Sequence, residues 1–177
     1  VANDSKPSTK NAQPNQGGVK NNALRRSSAR LAAVQALYQM DMTGISATAV
    51  VAQFLDSASR EDWLDEKLVE FDKTLFSALV TGVSAKREGL DEIVGASLSG
   101  DWTVGRLELV LRRILEAGAF ELTERTDIPP RVVITEYVDV AHAFYAGQEP
   151  GLVNGVLDKI ARSFRDGEMA GSAAARS

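Results

Sequence analysis

Six side chains among the first thirty residues carry positive charge, Lys6, Lys10, Lys20, Arg25, Arg26 and Arg30, and Asp4 alone opposes them. Guanidinium and ammonium groups gathered in this way suit one kind of chemistry. They displace counterions from phosphates, and arginine adds a planar fork that matches a phosphate or a base edge. The whole chain of 177 residues has a formal net charge of −4, so the basic end is attached to an acidic body. That distribution favours nucleic-acid contact while limiting indiscriminate binding. Taken alone, the charge run is equally a solvated tail.

Catalysis demands convergent groups, and the chain offers few. His142 is the single histidine and there is no cysteine, which removes disulfides, thiolate metal sites and cysteine nucleophiles together. Gly82, Gly89, Gly95, Gly100 and Gly105 have neither the spacing of a dinucleotide fingerprint nor the Lys-Ser/Thr partner of a phosphate-binding loop. The acidic pairs Glu61/Asp62, Asp65/Glu66 and Asp91/Glu92 fall on polar helix faces, where solvation is the ordinary role. A non-enzymatic protein with no metal and no cofactor is expected. No apolar run is long enough to cross a bilayer, and the first twenty residues lack the hydrophobic centre of a signal peptide. A cytoplasmic location follows as an expectation.

The elements that must position the basic residues are helical. With 44% hydrophobic but only 6% aromatic residues, the core has to come from densely packed Leu, Val, Ile and Ala. Residues 1–24, rich in Asn, Ser, Pro, Gln, Gly and Lys, cannot bury enough surface to offset ordering entropy and read as a disordered tail. Leu31, Val34, Leu37, Tyr38 and Met42 then recur at helical spacing up to Gly44. Ser46 is placed to cap a second helix. A third is expected from about Asp62 through Val83, separating near Ser84 from a fourth that stops at Ser99-Gly100.

Asp101 or Thr103 is positioned to cap a fifth helix, whose wide stripe of Leu107, Val110, Leu111, Ile114, Leu115, Ala119 and Leu122 marks a central element. Gly118 inside it implies close approach of a neighbouring helix. Asp127-Ile128-Pro129-Pro130 starts a sixth helix ending near Tyr145, and a seventh carries Leu152, Val153, Val156, Leu157, Ile160 and Phe164. The expected fold is all-α, a compact bundle of about seven helices over residues 25–166, with a flexible C-terminal tail at 167–177.

Three stretches of this bundle together resemble the NusB family. The first is Arg25-Arg26-Ser27-Ser28-Ala29-Arg30 with Ala33-Val34-Gln35-Ala36-Leu37-Tyr38. The second is Glu121-Leu122 leading to Asp127-Ile128-Pro129-Pro130 and on to Glu136. The third is Leu152-Val153-Asn154-Gly155-Val156-Leu157-Asp158-Lys159. The resemblance spans about residues 25–164 and implies two small helical subdomains and a stand-alone transcription antitermination factor. Such a factor binds boxA RNA of ribosomal RNA leader transcripts with the small-subunit ribosomal protein NusE, within the RNA polymerase antitermination complex.

By this resemblance Arg25, Arg26 and Arg30 contact phosphate, with Lys20, Asn154 and Lys159 as further RNA-face residues. Tyr38 is either a core ring with a polar tip or part of the partner-protein surface. Asn154 is equally a helix-start hydrogen-bonding residue, and Gly155 serves close packing. Ser27 and Ser28 stand where other members carry charge, Leu152 where they carry an aromatic, and Glu116 where they carry a basic residue. Glu116 either weakens the RNA face or pairs with Arg112 or Arg113. These departures imply greater dependence on NusE. The alternatives are a helical protein-interaction module without specific RNA binding, and a homodimer that covers the RNA face.

Overall fold

The computed structural model describes residues 16–57 and 70–174. Among these residues the chain is entirely helical: α1 (Gln16–Thr43), α2 (Ala47–Ser57), α3 (Lys73–Ala85), α4 (Arg87–Ser97), a single 3-10 turn (Val104–Arg106), α5 (Leu109–Glu124), α6 (Pro130–Phe144), α7 (Glu149–Phe164) and α8 (Asp166–Ala174).

Several boundaries follow local chemistry. Gly44 and Gly100 take positive φ, 72° and 67°, and each ends a helical stretch with a backbone that other residues resist. The Ser46 hydroxyl accepts from Ala49 N at 3.2 Å, capping α2. Pro130 opens α6 and Pro150 lies in the first turn of α7, positions where the missing N–H has no intrahelical partner to lose.

Other boundaries depart from expectation. Helix α1 extends back to Gln16, so residues 16–24 are helical and not a tail; once a packed segment has nucleated a helix, adding residues to its end is inexpensive. Residues 1–15 lie outside the described residues, as does the expected helix start at Asp62. Helix α3 begins only at Lys73, because the Asp72 carboxylate accepts from Leu75 N at 3.0 Å and caps it. Phe71 lies before that cap, buried and tilted against Phe76 at 5.1 Å. Neither Asp101 nor Thr103 caps α5: the 3-10 turn intervenes, and Glu108 is the residue preceding the helix.

The expected C-terminal tail is also ordered in part, as α8. Its Met169 is buried, and the Arg165 guanidinium donates to the carbonyls of Ile128 and Thr126 while pairing with Glu168. One thioether and a satisfied arginine are enough to hold this short polar segment against the α5–α6 link.

Helices α1, α2 and α3 pack on one another as one group, and α6, α7 and α8 as a second. Helix α5 runs between them and touches α1, α3, α4, α6 and α7, so a single hydrophobic core joins both groups. On α5, Leu111, Ile114, Leu115, Ala117, Ala119 and Leu122 are buried. Gly118 permits this: a Cβ there would stand 2.7 and 2.9 Å from the Leu157 methyls and 3.3 Å from the Tyr137 ring. Gly155 is different. It is exposed, and a Cβ would meet nothing within 4 Å, so close packing is not its role.

The two glycines therefore respond to alanine with opposite signs. In urea unfolding, Gly155→Ala is expected to stabilise by roughly 0.5–1 kcal/mol. Gly118→Ala should instead destabilise by about 1 kcal/mol, since overpacking against two fully buried side chains outweighs the helix-propensity gain. Equal signs would contradict the packing described for α5.

Candidate nucleic-acid interface

The basic entrance of α1 divides by helical phase. Lys20 and Arg26 are exposed and Arg25 is half-buried, whereas Arg30 is 2% exposed. Arg25 Nη2 donates to Glu70 Oε1 at 3.1 Å, and Arg26 Nε lies 4.0 Å from Asp72 Oδ2. The backbone is tied as well: Asp72 N donates to the Arg25 carbonyl at 3.0 Å. Lys20, Arg25 and Arg26 are thus the solvent-facing cations along the first turns of α1; Arg25 and Arg26 border the segment that leads into α3, and Lys20 lies about 140° around the helix from Arg25.

Arg30 belongs to the interior. Its Nε and Nη2 donate to the two carboxylate oxygens of Glu121 on α5, and Nη1 donates to Glu136 Oε2 on α6 at 3.0 Å. Tyr137 OH donates to Glu121 Oε2 at 3.0 Å. Burial by itself would lower the arginine pKa, but the hydrogen bonds and charge of Glu121 more than offset it and hold the guanidinium above its ordinary value. Burial, reinforced by the Glu121 charge, likewise pushes the Tyr137 phenol up. All three guanidinium nitrogens are engaged by protein and the side chain is withdrawn from solvent, so Arg30 is not placed for the phosphate contact expected of it. Sequence reasoning missed Glu121 and Glu136 as its partners. A signal was present, because Glu121 continues the buried α5 face through Ile114 and Gly118, where a carboxylate needs a cation.

A second ionic cluster holds the other end of α1. Arg113 Nε donates to Asp41 Oδ2 at 2.6 Å, and Arg87 Nη1 to Asp41 Oδ1 at 2.8 Å. Glu116, fully buried, accepts from Arg113 and from Arg112 Nε, and Arg112 also grips Asp91 on α4 with a two-point bond. Glu116 therefore pairs with both neighbouring arginines and is not part of an RNA face. Burial, only partly countered by Arg113, pushes its carboxyl up to about 7.

The remaining sequence-nominated residues are dispersed. Asn154 is exposed on α7, within the helix and away from its start. Lys159 is exposed too, but its Nζ donates to the Ala96 carbonyl at 3.1 Å and closes the end of α4. Five residues turn a helix through about 140°, so the two do not share one face of α7. Leu152 is partly buried against the core. Tyr38 is 38% exposed and Met42 62%; four residues apart, they lie on one outer face of α1. Tyr38 is therefore not a core ring. A groove of about 190 Å³ lies between α1 and α6, lined by Ser27, Ser28, Leu31, Glu136, Asp139 and Val140. No group of residues suited to hold a metal ion occurs among the described residues, and no described helix is long and apolar enough to cross a membrane.

Residues 27–162 match the model of the NusB family. The chain belongs to the NusB family. Relatives named transcription antitermination protein NusB include that of Rhodospirillum rubrum, 47% identical over 158 residues (80% of this chain and 85% of the relative). Another, from Rhodopseudomonas palustris strain HaA2, is 42% identical over 168 residues, covering 95% of this chain and 98% of the relative. The solved structure of T. maritima NusB superposes with a TM-score of 0.64 at 25% identity, covering 82% of this chain and 96% of that one. A crystal structure of the antitermination factors NusB and NusE in complex with dsRNA has the same fold, with a TM-score of 0.64 at 23% identity, covering 78% and 96% of the respective chains. NusB is a family of transcription antitermination factors and not of enzymes.

Two outcomes follow from the buried ions of this NusB fold. Arg30→Ala should cost about 3–5 kcal/mol in chemical denaturation, since it strands the Glu121 carboxylate in the core, whereas Arg26→Ala should change stability by less than about 0.5 kcal/mol. For Glu116 the folded carboxyl titrates near 7, above its unfolded value, so its contribution is present at low pH and lost as pH rises from about 5 to 7. Glu116→Gln should flatten that part of the stability–pH curve; an unaltered curve would show that Glu116 stays ionised throughout.

Proposed function

We propose that this protein is a cytoplasmic transcription antitermination factor that binds boxA-type RNA of ribosomal RNA leader transcripts together with NusE, within the RNA polymerase antitermination complex. The observation that carries this reading is the solvent-facing cationic stretch Lys20, Arg25 and Arg26 on a helix anchored at Arg30. Phosphate contacts from these residues supply affinity, and unstacked bases supply sequence preference. The fold shared with the solved NusB–NusE–dsRNA complex supports the same partners. Tyr38 and Met42, exposed on the outer face of α1, are suited to a protein surface such as NusE. Asn154 on α7 offers a further polar contact apart from this stretch; Lys159, on another side of α7 and bonded to the Ala96 carbonyl, is left out of it, and Arg30 acts by fixing α1, not by touching RNA.

Labelled boxA RNA titrated with the protein across a salt series, with and without NusE, tests the reading. Tighter binding with NusE and a negative slope of log affinity against log salt are expected. Arg26→Ala should reduce that slope by about one. Salt-independent binding, or none with NusE present, would instead favour a helical protein-interaction module.

A further inference from the structure

The two arginines at the entrance of α1 are not free in the unliganded protein, and the groups that hold them are carboxylates. Glu70 meets Arg25 at 3.1 Å, and Asp72 approaches Arg26 at 4.0 Å, both from the three residues that precede α3. Asp72 has a structural duty, since it caps α3 and its N–H binds the Arg25 carbonyl. Glu70 has none of this. Its side chain is 71% exposed, and its bond to Arg25 uses only Nη2. Arg25 Nε, on the same edge of the guanidinium, is shielded from solvent and has no hydrogen-bond partner.

That edge is the one an oxyanion takes with two parallel hydrogen bonds. Glu70 occupies half of it and leaves the other donor unsatisfied, a state that costs free energy in a shielded group. A phosphate presenting two oxygens satisfies both donors. We infer that Glu70 is an intramolecular stand-in for an RNA phosphate at Arg25, one that RNA must displace and that thereby lowers RNA affinity. The inference rests on the RNA-binding reading above and assigns to Glu70 the setting of RNA affinity. Asp72 keeps the carboxylate within reach because the backbone bond to Arg25 fixes the segment beside α1.

The test is a double-mutant cycle on the full chain with NusE, reading the affinity for single-stranded boxA RNA at low salt and for polyuridylate of equal length. Glu70→Gln should tighten boxA binding roughly two- to fivefold, the range of an exposed ion pair, and polyuridylate binding by a similar factor, since its phosphates offer the same two oxygens. In an Arg25→Ala background the same substitution should change neither. Both variants alter exposed or half-exposed side chains, and unchanged unfolding midpoints establish that they fold. If wild type binds boxA RNA and Glu70→Gln leaves it unchanged, or tightens it equally without Arg25, the inference fails while the RNA reading stands. If no form binds RNA with NusE present, the RNA reading fails and this inference with it.

Discussion

A guanidinium withdrawn from water must be met on its edges by acceptors, and in this protein those acceptors come from two other helices. Arg30 on α1 reaches Glu121 on α5 and Glu136 on α6, and Tyr137 completes the acceptor side of Glu121. Buried ion pairs add little net stability against an apolar alternative, because desolvation consumes most of the Coulombic gain. What they impose is geometry. Any slip of α1 along α5 strands a charge in the core, so the register of three helices is decided by one side chain. The Asp41–Arg113–Glu116 cluster repeats the device eleven residues further on, roughly 16 Å along α1. A long helix pinned at two points can carry its first turns past the core without losing their direction.

The proposed RNA contacts depend on that projection. Lys20, Arg25 and Arg26 are displayed on a stem whose orientation the interior determines, which limits the entropy lost when the helix meets a partner. The family resemblance placed Arg30 among the phosphate contacts and left Glu116 either on the RNA face or paired with Arg112 or Arg113. Both lie inside, where each supports α1. Of the departures from the family pattern, Glu116 thus belongs to the interior, and Leu152 packs partly against the core.

Most helices were legible because their signals are local. Period-3.6 apolar stripes, the Ser46 cap, the Pro129-Pro130 start and the Gly44 and Gly100 stops act within a turn or two of chain. The failures have two causes. Asp101 and Thr103 had suitable cap chemistry, yet the chain used a 3-10 turn and entered α5 at Leu109. Phe71 matched the helical stripe, yet it packs before the Asp72 cap. In these two cases one local signal prevailed over another. Residues 167–174 lacked an apolar face, yet α8 forms on Met169 and Arg165, where contacts distant in sequence outweighed local preference.

By itself the sequence determined the helical class, the order of the elements, the NusB relationship and the basic entrance of α1, since composition and periodicity are properties of the chain before it folds. Only the tertiary structure decided which of those arginines face solvent. Arg25 and Arg26 stand five and four residues before Arg30, and a turn of helix separates a solvent-facing side chain from one that holds the core. That distinction depends on carboxylates 91 and 106 positions away along the chain. No local pattern encodes their approach, because it arises from the packing of α1 against α5 and α6.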